Sequence, residues 1–157
     1  MIESFPSDAR VWVYQSSRTL SEKEVAEVQG ALVAFSRQWT SHNLKLKATG
    51  EVLYNRFIVL AVDESQAGAS GCSIDKSVAF IRSLQTVLDT DLFDRMRFAF
   101  LSEGEMYSIP REEFASLYAK GEINDSTLVF DPLVDTVGKL RNEFIKPLGQ
   151  SWHIRMV

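Results

Sequence analysis

The sequence has few residues that could bind a metal ion or crosslink the chain. Its 157 residues include one cysteine, Cys72, and two histidines, His42 and His153. One cysteine cannot form an intrachain disulfide, and one thiol with two distant imidazoles lacks the ligand spacing of a zinc site. We therefore expect a protein of a reducing compartment, the cytoplasm, that uses no metal ion or other cofactor.

Long apolar segments and an excess of positive charge are also missing. The longest apolar run, Phe57 to Val62, has the length of a buried strand and is far shorter than the roughly 20 residues that cross a bilayer. Residues Met1 to Pro6 lack the basic and apolar segments of a secretory signal. The net charge is −4, so electrostatics favours neither nucleic acid nor an anionic membrane as a partner. The sequence predicts no nucleic-acid binding and no membrane insertion.

The composition is that of an ordinary globular protein. Hydrophobic residues make up 45% and charged residues 24% of the chain, which is unlike an intrinsically disordered protein. A chain of this length can bury its own core without crosslinks. We expect a single α+β domain over residues 1–157.

The hydrophobic pattern changes between the period of strands and that of helices. Arg10 to Gln15 alternates as a strand does, and Ser21 and Glu24 have the spacing of a capping box, which starts a helix. The uniformly apolar run after Arg56 is typical of a central strand that is covered on both faces. The first helix carries an apolar stripe at steps of three and four residues: Val25, Val28, Leu32, Phe35 and Trp39. A second stripe follows Ser73, which we expect to cap its helix: Ile74, Val78, Ile81, Leu84 and Leu88.

These elements follow the order strand, helix, strand, strand, helix, strand, with the last strand at Arg95 to Leu101. That order is typical of a ferredoxin-like split βαβ sheet with its helices on one face. We expect the first and third strands to be parallel, and the last third of the chain to form a C-terminal α/β extension. Asp131 followed by Pro132 is expected to open the final helix.

Polar residues follow the first and third of these strands. If the two strands are parallel, both sets lie at one edge beside the first turns of two helices, where free amides and the helix dipole favour anions. The alternative is that these residues only cap helices and form loops. The expected ligand- or anion-binding cluster brings Tyr14, Gln15, Ser16 and Arg18 to Asp63, Glu64, Ser70, Gly71, Cys72, Ser73 and Lys76.

Cys72 is also a candidate nucleophile, because it lies beside a helix start. Two features oppose this hypothesis. Asp75, one turn later, would repel a thiolate, and His42 follows the first helix and should lie at the opposite edge. The competing interpretation is a small, buried hydrophobic residue.

Two stretches resemble nucleotide-binding motifs. Phe57 to Glu64 has the apolar strand and terminal acids of a Walker B motif, and Gly71 to Ser77 has the Lys-Ser end of a P-loop. A P-loop requires glycine directly before the lysine, so that backbone amides can surround the phosphates. Asp75 occupies that position, and Ser70 occupies the position of the other required glycine. Nucleotide hydrolysis is therefore not expected.

The chain as a whole resembles a small uncharacterised bacterial protein family that often carries the label ABC transporter ATPase. Three segments carry the resemblance, at residues 10–15, 56–64 and 70–77, and it extends over nearly the full length. The resemblance implies no defined activity, and the motif analysis does not support the label.

The sequence favours a non-catalytic module that binds a partner protein or a small ligand, with a homodimer through the open sheet face or an edge strand as one form of partner. The competing hypothesis is a small enzyme with its site at the Asp63–Lys76 edge. A deep pocket lined by Tyr14, Arg18, Glu64 and Ser73 would favour the enzyme. A filled edge would favour the module.

The first prediction concerns nucleotide binding. The protein should not bind Mg-ATP at millimolar concentration, since the amide cradle is absent and Asp75 adds repulsion. Thermal unfolding with and without Mg-ATP measures this directly, because a ligand at 100 times its Kd adds about 2.7 kcal/mol of stability. An upward shift that Lys76→Ala abolishes would contradict the prediction.

Overall fold

A computed structural model describes residues 1–157 and shows a mixed α+β protein whose strands form three antiparallel sheets. The strands are β1 (Arg10–Gln15), β2 (Thr40–Ser41), β3 (Leu44–Lys45), β4 (Lys47–Leu53), β5 (Phe57–Asp63), β6 (Arg97–Ser102), β7 (Glu105–Pro110), β8 (Leu128–Phe130) and β9 (Ile145–Pro147). The helices are α1 (Glu22–Gln38), α2 (Gly71–Leu88), α3 (Arg111–Ala119) and α4 (Val137–Glu143), with 3-10 turns at Ile2–Ser4, Leu148–Gln150 and Trp152–Met156.

The first sheet has the order β1-β5-β4, and the expected parallel pairing of its first and third long strands is wrong. Arg10 lies opposite Val62 and Gln15 opposite Phe57, so β1 and β5 are antiparallel. The reason is connectivity. A tight turn at residues 54–55 makes β5 antiparallel to β4. β4 follows β1 through α1 and is parallel to it, and β5 lies between these two strands.

β5 is the centre of the molecule, and all seven of its residues are buried. On one face, Ile58, Leu60 and Val62 pack against α1 and α2, which confirms that both long helices cover the same side. On the other face, Phe57, Val59 and Ala61 pack against a second core from the C-terminal third. The expected open sheet face is therefore covered by the chain itself. The partners on that side are Ala99, Phe130, Val134, Val137, Leu140 and Phe144.

α1 begins as the sequence predicts. Ser21 accepts a hydrogen bond from the amide of Glu24, whose side chain accepts one from the Ser21 amide, so the capping box is complete. Its stripe buries Val28 and Leu32, and Phe35 is half-buried against Phe80 at 4.3 Å between ring centroids.

Two predicted helix starts are wrong by several residues. α2 is capped by Ser70 and not by Ser73, whose own amide donates to the Ser70 hydroxyl. The final helix begins at Val137 with Thr136 as its cap, because Asp131 instead accepts a hydrogen bond from the Leu133 amide and closes a turn.

The ferredoxin-like expectation of one four-stranded sheet also differs from the structure. β6 pairs with β7 and β8 in a separate sheet of order β7-β6-β8-β9 and leaves β1 at the edge of the first sheet. The C-terminal chain pairs with β1 only at its start, where Arg10 forms an isolated bridge with Thr136. No helix has the combination of length and apolar character that a membrane crossing needs.

The second prediction tests the contact between α1 and the sheet. Leu32 is fully buried, and a Cβ on Gly50 of β4 would lie 2.8 Å from the Leu32 Cδ2 atom. Leu32→Ala should lower the free energy of unfolding by about 2–5 kcal/mol, measured by urea denaturation. Gly50→Ala should destabilise the wild type and cost less in the Leu32→Ala background, since the truncation removes the Cδ2 and Cγ contacts and leaves only the Leu32 Cβ atom, at 3.0 Å.

Val87→Ala is the matched control, because Val87 lies on a helix and is 72% exposed. A loss for Leu32→Ala as small as that of the control would contradict the packing described here.

Candidate functional site

The antiparallel pairing of β1 and β5 separates the predicted site into two halves. Arg18 follows the end of β1, beside the start of β5, whereas Asp63 ends β5 opposite Arg10. Arg18 donates to the carbonyl of Leu88 at the last turn of α2, at 2.7 Å, while Cys72 lies in the first turn of the same helix. Sixteen residues of helix separate these two positions by roughly 24 Å.

Arg18 therefore lies at the end of the molecule opposite Cys72. The residues before it on the chain, Tyr14, Gln15 and Ser16, lie at that end or between the two ends. The Arg18 guanidinium pairs with the Glu24 carboxylate at 2.6 Å, and this hydrogen bond lowers the pKa of Glu24 to about 2. The predicted approach of Arg18 to the start of α2 does not occur.

The other seven predicted residues do lie together, but most of their polar groups bond to one another. The Ser70 hydroxyl accepts from the Ser73 amide at 3.2 Å, and the Ser73 hydroxyl donates to the Ser70 carbonyl at 2.8 Å. A carboxylate oxygen of Glu64 accepts from the Ala69 amide at 2.9 Å. Gly71, Cys72 and Lys76 are exposed at the helix start. This arrangement is that of a capped helix and its loop.

Asp63 is held in the same local way. Its carboxylate accepts from the Ser65 amide at 3.0 Å and lies 3.4 Å from the Lys47 ammonium. The hydrogen bond from Ser65 lowers the pKa of Asp63. None of the main cavities of the surface is lined by residues of the Asp63–Lys76 edge.

Tyr14 belongs to a different concave region, on the free edge of β1. Two adjoining cavities of about 210 Å³ each lie along this edge and share five lining residues. We call this region the β1-edge groove, after the shared residues Val13, Tyr14, Arg95, Pro132 and Leu133, together with Phe93 and Trp152 at one end.

The floor of the groove is strand backbone without a partner. Backbone groups of successive strand residues point alternately to the two sides. The Ser16 amide donates to Arg56 on the β5 side, and the Val11 amide donates to Asp135 on the other side, both at 2.9 Å. Val13 has the same orientation as Val11, so its N–H and C=O point into the groove, where neither has a protein partner.

The Leu133 amide explains why the pairing stops. The segment after Thr136 pairs with the residues around β1, as shown by the Val137 amide, which donates to Ala9 at 2.9 Å. Going back along the chain, Leu133 comes opposite Val13, but its amide donates to the Asp131 carboxylate at 2.9 Å and not to β1. The chain therefore leaves β1 at the position opposite Val13.

The side walls of the groove combine apolar surface with positive charge. Phe93 packs edge-on against the Tyr14 ring at 5.6 Å. Burial raises the pKa of Tyr14 and the Arg95 guanidinium opposes this, so Tyr14 carries a neutral hydroxyl. Leu133 and Met96 are 54% and 45% exposed at the rim.

Sequence reasoning missed most of this groove. Val13, Arg95 and Leu133 come from distant segments, and no local pattern shows that a strand lacks a neighbour. The one usable signal was Asp131-Pro132, because this dipeptide favours a turn, at which a strand ends.

A buried polar cluster at the C-terminus was also missed. His153 is fully buried, and its Nδ1 atom lies 2.6 Å from the Ser151 hydroxyl oxygen. Trp152 stacks on its ring at 3.8 Å and donates to Asp131 at 2.8 Å. Burial alone would raise the pKa of Asp131, but hydrogen bonds from Lys146 and Trp152 outweigh it and lower the pKa.

This cluster has the residue types of a hydrolase site without its geometry. Ser151 and His153 are both buried, and neither lines a main cavity, so no substrate carbonyl can reach the hydroxyl. Nucleophilic catalysis needs an accessible oxygen. The cluster instead attaches the C-terminal turn to Phe98 and Phe114.

Comparisons with protein-family models, with curated proteins and with solved structures find no match to this chain.

The third prediction follows from His153, whose pKa burial lowers to about 4. In the unfolded chain His153 becomes protonated near pH 6.5, whereas in the folded protein it stays neutral down to about pH 4. The stability that neutral His153 contributes is therefore complete above pH 6.5 and is lost as the pH falls towards 4. The free energy of unfolding should decrease by about 3 kcal/mol over this range. Urea denaturation between pH 7 and pH 4.5 measures it.

His153→Gln should remove most of this slope, while His42→Asn, at an exposed position, should keep it. An unchanged slope in His153→Gln would show that other groups cause the pH dependence.

Proposed function

We propose that the protein is a non-catalytic module that binds a partner protein or a small ligand in the β1-edge groove. The observation that carries the proposal is the unpaired N–H and C=O of Val13 at the floor of an apolar-walled groove. Backbone donors and acceptors form hydrogen bonds wherever a partner is available, and a ligand in the groove can bind both groups of Val13 in place of water.

The distribution of polar groups supports binding over catalysis. In the groove, Arg95 and Arg97 are cations, and Asp94 accepts a hydrogen bond from the Met96 amide at 2.9 Å. No pair of groups there has the donor and acceptor arrangement of a nucleophile and its base. At the Asp63–Lys76 edge, the carboxylates and hydroxyls bond locally, which weakens the alternative of a small enzyme with its site there.

The start of α2 also argues against nucleotide binding, the function that the label of the resembling family would imply. The lysine of a P-loop follows directly on the phosphate-binding loop. Here the helix begins at Gly71, which places Lys76 in the second turn. β5, the apolar strand before this helix, belongs to an antiparallel sheet, whereas P-loop folds use parallel strands. We propose that the family resemblance does not extend to ATPase activity.

A homodimer remains one form of partner, but only through an edge. The sheet face on which it was expected is buried under the second core. Association of two copies through a strand would use an outer edge of the four-stranded sheet, β7 or β9.

The fourth prediction locates the site. In a fragment screen by ¹H–¹⁵N NMR, bound compounds should shift the amides of Val13, Phe93 and Arg95. Leu133→Trp should raise the Kd of these compounds at least tenfold, since the larger ring fills the groove.

Leu44→Trp is the matched control, because Leu44 is 60% exposed, close to the 54% of Leu133, and lies in the β2–β3 hairpin away from the groove. Compounds that bind instead around Asp63 and Lys76, or that are insensitive to Leu133→Trp, would contradict the proposal.

A further inference from the structure

We propose that the β1-edge groove takes a short extended peptide segment that bears an acidic side chain and adds to β1 through the N–H and C=O of Val13. This inference rests on the proposed function and specifies the partner chemistry of the same site. Four properties of the groove lead to it.

The first property is the geometry of the unpaired groups. In an antiparallel sheet, a residue whose N–H and C=O face the same side exchanges both with one residue of the neighbouring strand. Val13 offers this pair on the side away from β5. An extended peptide matches donor and acceptor at once, as in other complexes formed by strand addition.

The second property is that the open stretch is short and closed at both ends. At one end the Val11 amide binds Asp135, and at the other the Gln15 side chain donates to the Arg97 carbonyl at 3.4 Å and to the Ser108 hydroxyl at 2.8 Å. Four residue steps of about 3.4 Å give a slot of about 14 Å, which holds three or four extended residues. The slot is too short for a full strand of another sheet.

The third property is charge. Arg95 and Arg10 line the groove, and neither makes an ion pair, although the chain as a whole carries −4. The acids beside them are already engaged: Asp135 pairs with Lys139 at 3.3 Å, and Asp94 accepts from a backbone amide. Unpaired guanidinium groups at the rim favour a carboxylate on the bound segment.

The fourth property is the contrast with the opposite edge of the sheet. There the Gln29 side chain donates to the Gly50 carbonyl at 2.9 Å and accepts from the Val52 amide at 3.3 Å, so a side-chain amide takes the place of a neighbouring strand on β4. Natural sheets commonly block edges in this way. The edge of β1 at Val13 has no such block and has exposed apolar residues, Leu133 and Met96, on its rim.

The fifth prediction uses a tripeptide with acetyl and amide caps, in which valine lies between glutamate and leucine. The central valine pairs with Val13, so the glutamate side chain lies on the opposite face, where Arg10 stacks on Trp12. Three ligands are compared by NMR titration: this peptide, the same peptide N-methylated at the central valine, and the peptide with glutamine in place of glutamate. N-methylation removes the donor to Val13 and should raise the Kd about tenfold, and so should Arg95→Gln for the glutamate peptide. Arg95→Gln should leave the affinity for the glutamine peptide within twofold.

Arg37→Gln is the control for charge, since Arg37 is exposed on α1 and outside the groove. Val13→Pro removes the unpaired amide from the protein and should mimic N-methylation, because this amide makes no bond to β5. If that variant fails to fold, the N-methylated peptide still decides the question.

The outcomes separate the two proposals. Fragments that bind the groove while N-methylation and Arg95→Gln change nothing would overturn the peptide inference and leave the binding module in place. A groove that binds neither fragments nor peptides would overturn both.

Discussion

The burial of β5 on both faces determines the arrangement of the rest of the molecule. Its seven residues are apolar except for the terminal Asp63, and all are buried. A strand of this kind needs an apolar layer on each side. α1 and α2 provide one layer, and the C-terminal third of the chain provides the other. The C-terminal third is therefore part of the core and not an appendage to a finished sheet.

This requirement also explains the free edge of β1. The C-terminal chain covers the second face of the sheet. Within it, β6 pairs with β7 and β8 and does not pair with β1. Only the segment around Thr136 pairs with β1, and it departs at Leu133. The strand is consequently paired along one side and at its start on the other. The groove is the space left between two sheets that pack face to face but do not join.

Local elements were predictable because their causes are local. The capping box of Ser21 and Glu24 depends on four consecutive residues, and the bounds of β1 follow from alternation within six. The errors arose where two local signals competed. Ser70 and Ser73 are both good caps, and Ser70 takes the role because Ser73 turns inward, where its carbonyl accepts from the Trp39 indole at 2.8 Å. Asp131 and Thr136 compete in the same way, and the contacts of Asp131 with Lys146 and Trp152 hold it in a turn.

The sequence by itself determined the fold class, the positions of the long helices and the central strand, and the absence of a P-loop, since each depends on periodicity or on spacing within a short segment. It also offered the alternative that the residues from Asp63 to Lys76 only cap a helix and form a loop, which agrees with the contacts of Ser70 and Glu64. Only the tertiary structure decided the direction of β1 against β5, the separation of Arg18 from Cys72, and the groove at Val13. These features depend on which segments become neighbours in the fold. The neighbours are determined by the simultaneous burial of both faces of one sheet, which requires segments that are distant in the sequence.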